Sequence, residues 1–302
     1  MIGLMLNTRK NCPVCQCYSG KKPYAVYDNT HVLFCAKCGT GWVVEGREKE
    51  ELSCEIDEGS KNYESFVSEQ NKRRMERYFD IIINSVSKNI RSLSICDIGC
   101  GYGYFLSIAQ KAGARSLLGL ELMRKYVPIA KKLYDVEVTT EKATKIRERR
   151  KFDVVTMFDV IEHVSDLKEF ILDVKSLLAP KGIIVVTTPR NNNLIGSISK
   201  LLCRSFPGIA GTFLNAQGYS REHIQLFSNK SLSIFLGSNN FKTLKHFNLV
   251  DIAAPFSFYD FPFAEKGTFT HVLAVAFFNF MYKIHLFPKN KQFVVAQINE
   301  NN

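Results

Sequence analysis

Glycines at alternate positions are the first feature of this 302-residue chain that could do chemistry, and they follow a short apolar run ending near Asp97. They are Gly99, Gly101 and Gly103. Glycine lets a backbone turn tightly and approach a ligand with no Cβ in the way. A second apolar run, residues 116–120, is followed by Glu121, whose two carboxylate oxygens suit two vicinal hydroxyl donors. The pattern predicts a strand, glycine loop, helix and strand that hold a nucleoside-bearing cofactor.

The spacing of the glycines helps to choose among cofactors. A pyrophosphate-binding loop reads Gly-x-Gly-x-x-Gly, whereas this loop reads Gly-x-Gly-x-Gly. Asp97 is placed where its carboxylate could reach the loop amides or an ammonium group of the cofactor. The alternative is that residues 99–103 form only a tight turn and that Glu121 is an exposed acid at a strand end.

Two cysteine pairs near the N-terminus predict a metal site. Cys12-Pro-Val-Cys15 and Cys35-Ala-Lys-Cys38 are separated by nineteen residues, which is typical of a zinc ribbon. Four thiolates leave no open coordination position, so we expect a structural zinc ion and a ribbon spanning residues 1–46. Disulfides or a redox pair are the alternatives. The chain has nine cysteines and no evident export signal, which favours a reducing compartment, the cytoplasm.

The composition limits the possible partners only loosely. The apolar fraction of 46% and the charged fraction of 23% are ordinary for a soluble globular protein. The net charge of +11 is compatible with an anionic partner, such as nucleic acid, an acidic lipid surface or a phosphorylated substrate. Solvated helix faces and loops are the alternative explanation for the basic residues.

Strand-like apolar runs alternate with helix-like segments from residue 93 to residue 188. We predict strands at 93–98, 116–120, 136–139, 152–158 and 182–188, helices at 105–112, 125–134 and 167–178, and later strands at 241–249 and 292–298. This alternation is typical of a doubly wound, mostly parallel α/β sheet. Residues 47–90 are predicted to form a linker and a leading helix, and residues 91–302 the main domain.

Three motifs in this order resemble those of the class I S-adenosylmethionine (SAM)-dependent methyltransferases. Residues 95–104 with Glu121 resemble motif I, residues 152–164 resemble motif IV of the small-molecule branch, and residues 178–189 resemble the stretch that follows it. The resemblance implies a Rossmann-like, mostly parallel seven-stranded sheet. It also implies SAM as cofactor, with Glu121 on the ribose and Asp159 beside the methyl group. The implied cofactor-binding residues are Asp97, Gly99, Cys100, Gly101, Gly103, Glu121 and Asp159.

Two histidines are candidates for the proton transfer that methylation of a hydroxyl requires. His163 follows the predicted strand 152–158, and His223 lies in a Glu-His-x-x-x-Phe-Ser segment that resembles an acceptor-pocket segment of the family. His163 could instead be a helix-start residue satisfied by backbone. His223 could instead have a structural or lid-positioning role. The sequence leaves the choice open.

Two apolar segments distinguish this chain from a bare methyltransferase core. Residues 193–230 lie where the family inserts a lid over the acceptor. Residues 268–287 predict an amphipathic helix with polar residues on one arc. That helix either packs on the core or contacts an anionic membrane surface, in which case the acceptor could be apolar or lipid-linked and the protein peripheral to the membrane.

The predicted function is therefore SAM-dependent methylation of a small-molecule acceptor, with a hydroxyl oxygen favoured. The implied acceptors are sugars, polysaccharide precursors, quinones and secondary metabolites. An RNA methyltransferase that uses the ribbon to grip nucleic acid is a second interpretation. It is disfavoured because the motif IV segment lacks an Asn/Asp-Pro-Pro-Tyr type of sequence. A non-catalytic SAM-binding module is a third. The oligomeric state is not predicted.

Overall fold

The computed structural model describes residues 11–20, 24–25, 31–45, 69–191, 223–249 and 289–299. Contacts divide the chain into two compact units. Unit 1 consists of Met1–Leu52, Pro189–Phe235 and Asn248–Gln292. Unit 2 consists of Ser53–Thr188, Leu236–Phe247 and Phe293–Asn302.

The described residues form eleven strands and six α-helices. The strands are β1 (Tyr24–Ala25), β2 (His31–Phe34), β3 (Gly41–Glu45), β4 (Ser94–Ile98), β5 (Ser116–Leu120), β6 (Val138–Thr139), β7 (Phe152–Phe158), β8 (Leu178–Pro189), β9 (Gln225–Leu226), β10 (Phe241–Leu249) and β11 (Lys291–Ile298). The helices are α1 (Glu69–Ile83), α2 (Tyr104–Lys111), α3 (Tyr126–Tyr134), α4 (Ala143–Ile146), α5 (Leu167–Leu177) and α6 (Asn229–Ser238).

Seven strands form one sheet in the order β10-β11-β8-β7-β4-β5-β6. β4 lies between β5 and β7 and is parallel to both, with Ile95 opposite Leu117 on one side and Val154 on the other. β5 is also parallel to β6, and β7 to β8. The central strands are almost entirely buried, as expected for a parallel sheet covered on both faces. The predicted doubly wound, mostly parallel seven-stranded sheet is confirmed.

A side-chain cap explains where helix α5 begins. α5 begins after Asp166, whose side chain accepts hydrogen bonds from the backbone N–H groups of Lys168 and Glu169. Such an N-cap satisfies amide donors that the first helical turn leaves without partners. The buried residues of α5 include Leu167, Ile171 and Val174, a spacing that places one apolar face toward the core.

The leading helix packs through aromatic rings. The Tyr78 ring of α1 lies 5.3 Å from the ring of Phe158 and 5.0 Å from that of Phe293, centroid to centroid. Phe158 in turn lies 4.9 Å from Phe105 of α2. This cluster joins α1 to both the central strand β7 and the late strand β11. Tyr78 and Ile82 of this helix are 2% and 0% exposed.

β8 differs from its prediction because it begins four residues earlier, at Leu178. It pairs with β7 on both sides of an irregularity, with Phe152 opposite Leu178 and Val154 opposite Ile183. Lys181, in the intervening stretch, has a left-handed φ of 62°. The Pro-Lys-Gly sequence at residues 180–182 therefore lies within the strand, where its pairing with β7 is irregular.

Unit 1 contains a four-stranded sheet in the order β1-β2-β3-β9. The pairs β1–β2, β2–β3 and β3–β9 are all antiparallel. β1, β2 and β3 lie within the predicted ribbon at residues 1–46, whereas β9 comes from a segment beyond β8. The predicted boundaries of the ribbon, linker and main domain stay predictions, but the ribbon's sheet draws one strand from outside residues 1–46.

Within the described part of the chain, no helix combines the length and apolar character needed to cross a membrane. The predicted amphipathic helix at 268–287 lies outside the described residues, as does most of the predicted lid at 193–230.

Candidate functional site

The glycine loop after β4 requires glycine for two separate reasons. Gly99, Gly101 and Gly103 have left-handed φ values of 69°, 52° and 76°. Side chains are disfavoured in this backbone region. In addition, a Cβ on Gly99 would lie 2.6 Å from a methyl carbon of Val160, and one on Gly103 would lie 2.5 Å from a methyl carbon of Val136. The loop is therefore shaped by close packing beneath it, and α2 begins directly after Gly103.

Glu121 is held against this loop by its carboxylate. The backbone N–H of Gly101 donates to Oε2 at 2.9 Å, and the backbone N–H of Met123 donates to Oε1 at 3.0 Å. Each carboxylate oxygen can accept about two hydrogen bonds, so both retain acceptor capacity for hydroxyl donors of a ligand. The structure thus brings together the glycine loop and the acid, twenty residues apart, that the sequence analysis assigned to one cofactor site.

Backbone hydrogen bonds place the strand ends beside each other. The N–H of Gly99 donates to the carbonyl of Leu120 at 2.7 Å, and the N–H of Glu121 donates to that of Thr139 at 3.0 Å. The carboxyl ends of β4, β5 and β6 therefore meet at one edge of the sheet. In open α/β sheets this edge is where ligands bind.

Asp97 lies inside the sheet beneath the loop and is 3% exposed. In the described part of the chain its hydrogen-bond donor is the hydroxyl of Thr156 on β7, at 2.6 Å from Oδ1, and not a loop amide. Burial raises the pKa of Asp97 to about 7, against the opposing effect of the Thr156 hydrogen bond and with a smaller contribution from the negative charge of Glu121. Asp97 is thus a buried carboxyl group whose pKa lies near neutral pH.

Cys100 has its side chain in the core and only its backbone in the loop. It is 5% exposed and packs with Leu106, Ala130 and Val136. A Cβ added to Gly119 of β5 would lie 2.4 Å from the Cys100 sulfur, so Gly119 makes room for this side chain. Burial raises the pKa of the Cys100 thiol far above its ordinary value. Only the main-chain atoms of Cys100 are therefore placed to contact a cofactor.

Asp159 follows β7 and is held by the neighbouring strand. Its φ of 56° is left-handed, a conformation that aspartate tolerates better than most residues. Its backbone N–H donates to the carbonyl of Thr187 at 3.1 Å, and the Thr187 hydroxyl lies 3.3 Å from Oδ1 and donates to it. The carboxylate is therefore fixed where β7 ends, at the sheet edge that the glycine loop also occupies.

The two predicted catalytic histidines lie in different units. His163 ends the short 3₁₀ turn Ile161–His163 of unit 2, and its backbone N–H donates to Val160. His223 lies in unit 1, two residues before β9. Both are partly buried. Their role as a base stays a prediction.

Sequence reasoning missed a buried carboxyl next to His163. Glu162 is fully buried, and its Oε2 accepts a hydrogen bond from the hydroxyl of Thr188 at 2.8 Å. Thr187 and Thr188 are both fully buried at the end of an apolar strand. Two adjacent hydroxyls in such a strand were a visible signal, because buried polar groups need partners.

The four predicted zinc ligands come together in unit 1. The sulfur atoms of Cys12, Cys15, Cys35 and Cys38 all lie within 4.8 Å of one another. The Cys12–Cys38 and Cys15–Cys35 sulfurs are 3.5 and 3.4 Å apart, which is non-bonded contact, and all four cysteines are free. Zn–S bonds of about 2.3 Å in a tetrahedron would set the sulfurs about 3.8 Å apart. The four side chains therefore fit a tetrahedral zinc ion.

Each cysteine pair lies in the same type of tight turn, which we call a knuckle. The N–H of Gln16 donates to the carbonyl of Cys12 at 3.0 Å, and that of Gly39 donates to Cys35 at 2.9 Å. Gln16 and Gly39 have left-handed φ values of 57° and 81°. Gln16 therefore forms the same turn as Gly39 but places a side chain in a backbone region that favours glycine.

A hydroxyl group contacts a sulfur atom of the second knuckle. The Thr40 hydroxyl lies 3.0 Å from the sulfur of Cys38. The pKa of Cys38 is lowered because the Cys12 thiol, and then Thr40, stabilise its thiolate by hydrogen bonding. A deprotonated sulfur is the form that a metal binds.

Comparison with known proteins identifies the family. The family described as methyltransferase domain matches residues 63–246, which is more than half of the chain. The chain belongs to the methyltransferase domain family. The matched region contains the glycine loop, Glu121 and Asp159.

Similar curated proteins agree with this family. The chain is 28% identical to ubiquinone biosynthesis O-methyltransferase of Pelagibacter ubique over 114 residues, which are 36% of this chain and 47% of that protein. It is 27% identical to the mitochondrial ubiquinone biosynthesis O-methyltransferase of Dictyostelium discoideum over 176 residues, 51% of this chain and 53% of that protein. The chain thus spans about half the length of the curated relatives it matches.

A solved structure shows the same fold. The plantazolicin methyltransferase, in complex with a triazolic desmethylPZN analog and SAH (S-adenosylhomocysteine), superposes with a TM-score of 0.50 at 16% identity. The likeness covers 79% of this chain and 89% of that one. The Rossmann-like methyltransferase fold expected from the sequence is therefore confirmed.

The raised pKa of Asp97 predicts a pH-dependent stability. Above about pH 4 an unfolded chain releases this proton, whereas the folded protein keeps it up to a pH of about 7. The free energy of unfolding should therefore fall as the pH rises through this window. Asp97→Asn should flatten that fall, and urea denaturation across the window measures it.

Two variants test whether Asp97 is the responsible group. Thr156→Val removes the hydroxyl that lowers the pKa of Asp97. The fall in the free energy of unfolding should therefore extend to higher pH in this variant. Asp173→Asn on α5 should reproduce the wild-type slope. An unchanged slope in Asp97→Asn would show that Asp97 does not carry the proton.

Proposed function

We propose that this chain is a SAM-dependent methyltransferase that transfers a methyl group to a hydroxyl oxygen of a small molecule. The observation that carries the proposal is the hydrogen bond from the Gly101 N–H to Glu121 at 2.9 Å. It joins a glycine loop with left-handed backbone to an acid with spare acceptor capacity, at the sheet edge where this fold binds ligands. Membership of the methyltransferase domain family supports the reaction class.

The residues present fit SAM. Glu121 would accept hydrogen bonds from the ribose hydroxyls, and the open backbone at Gly99 and Gly101 would admit the cofactor close to the main chain. Asp159, fixed by Thr187, would line the site on the β7 side. When bound, SAM supplies a methyl carbon that is already activated by a positively charged sulfur. The protein's part is then to bind, to orient the acceptor and to exclude water.

A hydroxyl acceptor must lose its proton during the transfer, and two histidines are available for this. His163 and His223 are the candidates, and a neutral imidazole near physiological pH suits the task. The names of the relatives from Pelagibacter ubique and Dictyostelium discoideum, both ubiquinone biosynthesis O-methyltransferases, favour oxygen as the accepting atom. Among the acceptors that the sequence left open, they favour a quinone-type compound.

Glu121→Ala should weaken SAH binding by at least about tenfold, because it removes charge-assisted hydrogen bonds to the ribose and releases the Gly101 and Met123 amides. Isothermal titration calorimetry with SAH measures the dissociation constant. Glu148→Ala removes an exposed glutamate elsewhere in the same unit and should bind as the wild type does. The cofactor assignment is wrong if the wild-type protein does not bind SAH.

Methyl transfer should favour oxygen over nitrogen. Hydroquinone, a simple quinol with two phenolic hydroxyls, should accept labelled methyl groups from SAM, whereas p-phenylenediamine, its nitrogen analogue, should not. Mass spectrometry of the products measures both. Transfer to the diamine alone would contradict O-methylation, and transfer to neither would contradict a quinol-type acceptor.

We further propose that the four cysteines of unit 1 hold a structural zinc ion. The convergence of the four sulfurs within 4.8 Å supports this, and so does the absence of a disulfide between them. With four protein ligands no position is left for a substrate, so the ion would stabilise the ribbon and take no part in methyl transfer.

The purified protein should contain one zinc ion per chain by elemental analysis. Cys12→Ser replaces a thiolate ligand and should reduce the zinc content strongly, because a serine hydroxyl is a poor ligand for this ion. Cys17→Ser changes a partly buried cysteine that is not among the four converging sulfurs and should keep full zinc. Full zinc content in Cys12→Ser would contradict the assigned ligand set.

A further inference from the structure

We propose that the zinc ribbon positions the segment that carries His223, so that metal binding at the four cysteines orders residues 223–228. This inference rests on the proposed zinc site and on the proposed acceptor-side role of His223. All of the contacts that carry it lie within unit 1.

The first contact is a strand pairing. β3 of the ribbon pairs with β9 in antiparallel register, with Trp42 opposite Gln225 and Gly41 opposite Leu226. The N–H of Val43 also donates to the carbonyl of Ile224 at 2.9 Å. Ile224 is the residue after His223, so the ribbon fixes the backbone on the C-terminal side of the histidine.

The second contact reaches the zinc knuckle itself. The Ser228 hydroxyl donates to the carbonyl of Cys38 at 2.6 Å, and the Asn191 side-chain amide donates to the carbonyl of Gly39 at 2.7 Å. Both donors are almost fully buried. One acceptor belongs to a proposed zinc ligand and the other to the next residue. Their positions therefore depend on the geometry that the metal imposes.

Asn191 also ties the chain after β8 to β9. Its Nδ2 donates to the carbonyl of Leu226 at 3.0 Å, and its backbone N–H donates to Phe227 at 3.1 Å. The Gln292 side chain donates to the same Phe227 carbonyl at 3.2 Å. Three separate parts of the chain thus meet at residues 226–228, and the ribbon is one of them.

The residues at this junction are closely packed. A Cβ on Gly39 would lie only 3.1 Å from the Ser228 hydroxyl oxygen. Ser228 Oγ also accepts from the backbone N–H of Ser231 in α6 at 3.0 Å. A shift of the knuckle would therefore disturb both the end of β9 and the first turn of α6. Zinc binding and the order of residues 223–228 are consequently parts of one equilibrium.

The experiment compares hydrogen–deuterium exchange of the full chain with zinc bound and after its removal by a chelator. Exchange at residues 224–228 should become about tenfold faster or more without zinc. Asn191→Asp removes the donor to Gly39 and Leu226, so it should accelerate the same amides with zinc still present. Lys230→Ala, an exposed position on α6, should leave their exchange unchanged.

A second readout separates positioning from loss of fold. The NMR signal of the His223 ring should move in Asn191→Asp and on zinc removal, whereas that of His246 on β10 should not. SAH affinity should stay within about threefold, since the altered contacts do not involve Glu121 or the glycine loop.

The outcomes are distinguishable. Unchanged exchange and an unmoved His223 signal after zinc is removed would overturn this inference alone. A purified protein without zinc would overturn the inference and the zinc site together. Zinc-dependent exchange in a protein that does not bind SAH would support the inference while overturning the cofactor assignment.

Discussion

The parallel register of β4 with β5 and β7 is the constraint on which the site depends. It sets Asp97 opposite Gly119 on one side and Thr156 on the other. The same register brings the strand ends to one edge, where the Gly101 amide can reach Glu121. A slip of one residue would turn the side chains of a strand to the opposite face of the sheet, disrupt the packing of the buried residues and separate these groups. Site and fold are specified by the same pattern of burial.

The sequence predicted those parts of the fold that have a local signal. Alternating apolar runs located β4, β5 and β7, and the two cysteine pairs located the four sulfurs that converge in unit 1. It could not show that Cys100 points into the core, because that depends on the space left by Gly119. The two adjacent threonines signalled that buried hydroxyls need partners, but the sequence did not show that Glu162, twenty-six residues away, is the partner of Thr188.

The same limit applied to the ribbon. The spacing between the cysteines revealed the two knuckles. Gln16 preserves the first knuckle by adopting a left-handed backbone conformation, although it is not a glycine. Strand β9 is only two residues long and comes far later in the chain, so no periodicity could assign it to β3. Asn191 belongs to no motif, and Ser228 is only the last residue of the Glu-His-x-x-x-Phe-Ser segment. Their importance comes from burial and from the carbonyls they contact.

The late origin of β9 has a consequence for the order of events at the ribosome. The four cysteines of the proposed zinc site all lie within residues 12–38, so both knuckles can form early in synthesis. Until residues 225–226 have been made, however, β3 has an open edge in a nascent chain. Closing a loop costs about 0.6 kcal/mol more for each doubling of its length, and this loop cannot close until the chain is long enough. The cysteines of the ribbon are thus synthesised long before the strand that completes its sheet.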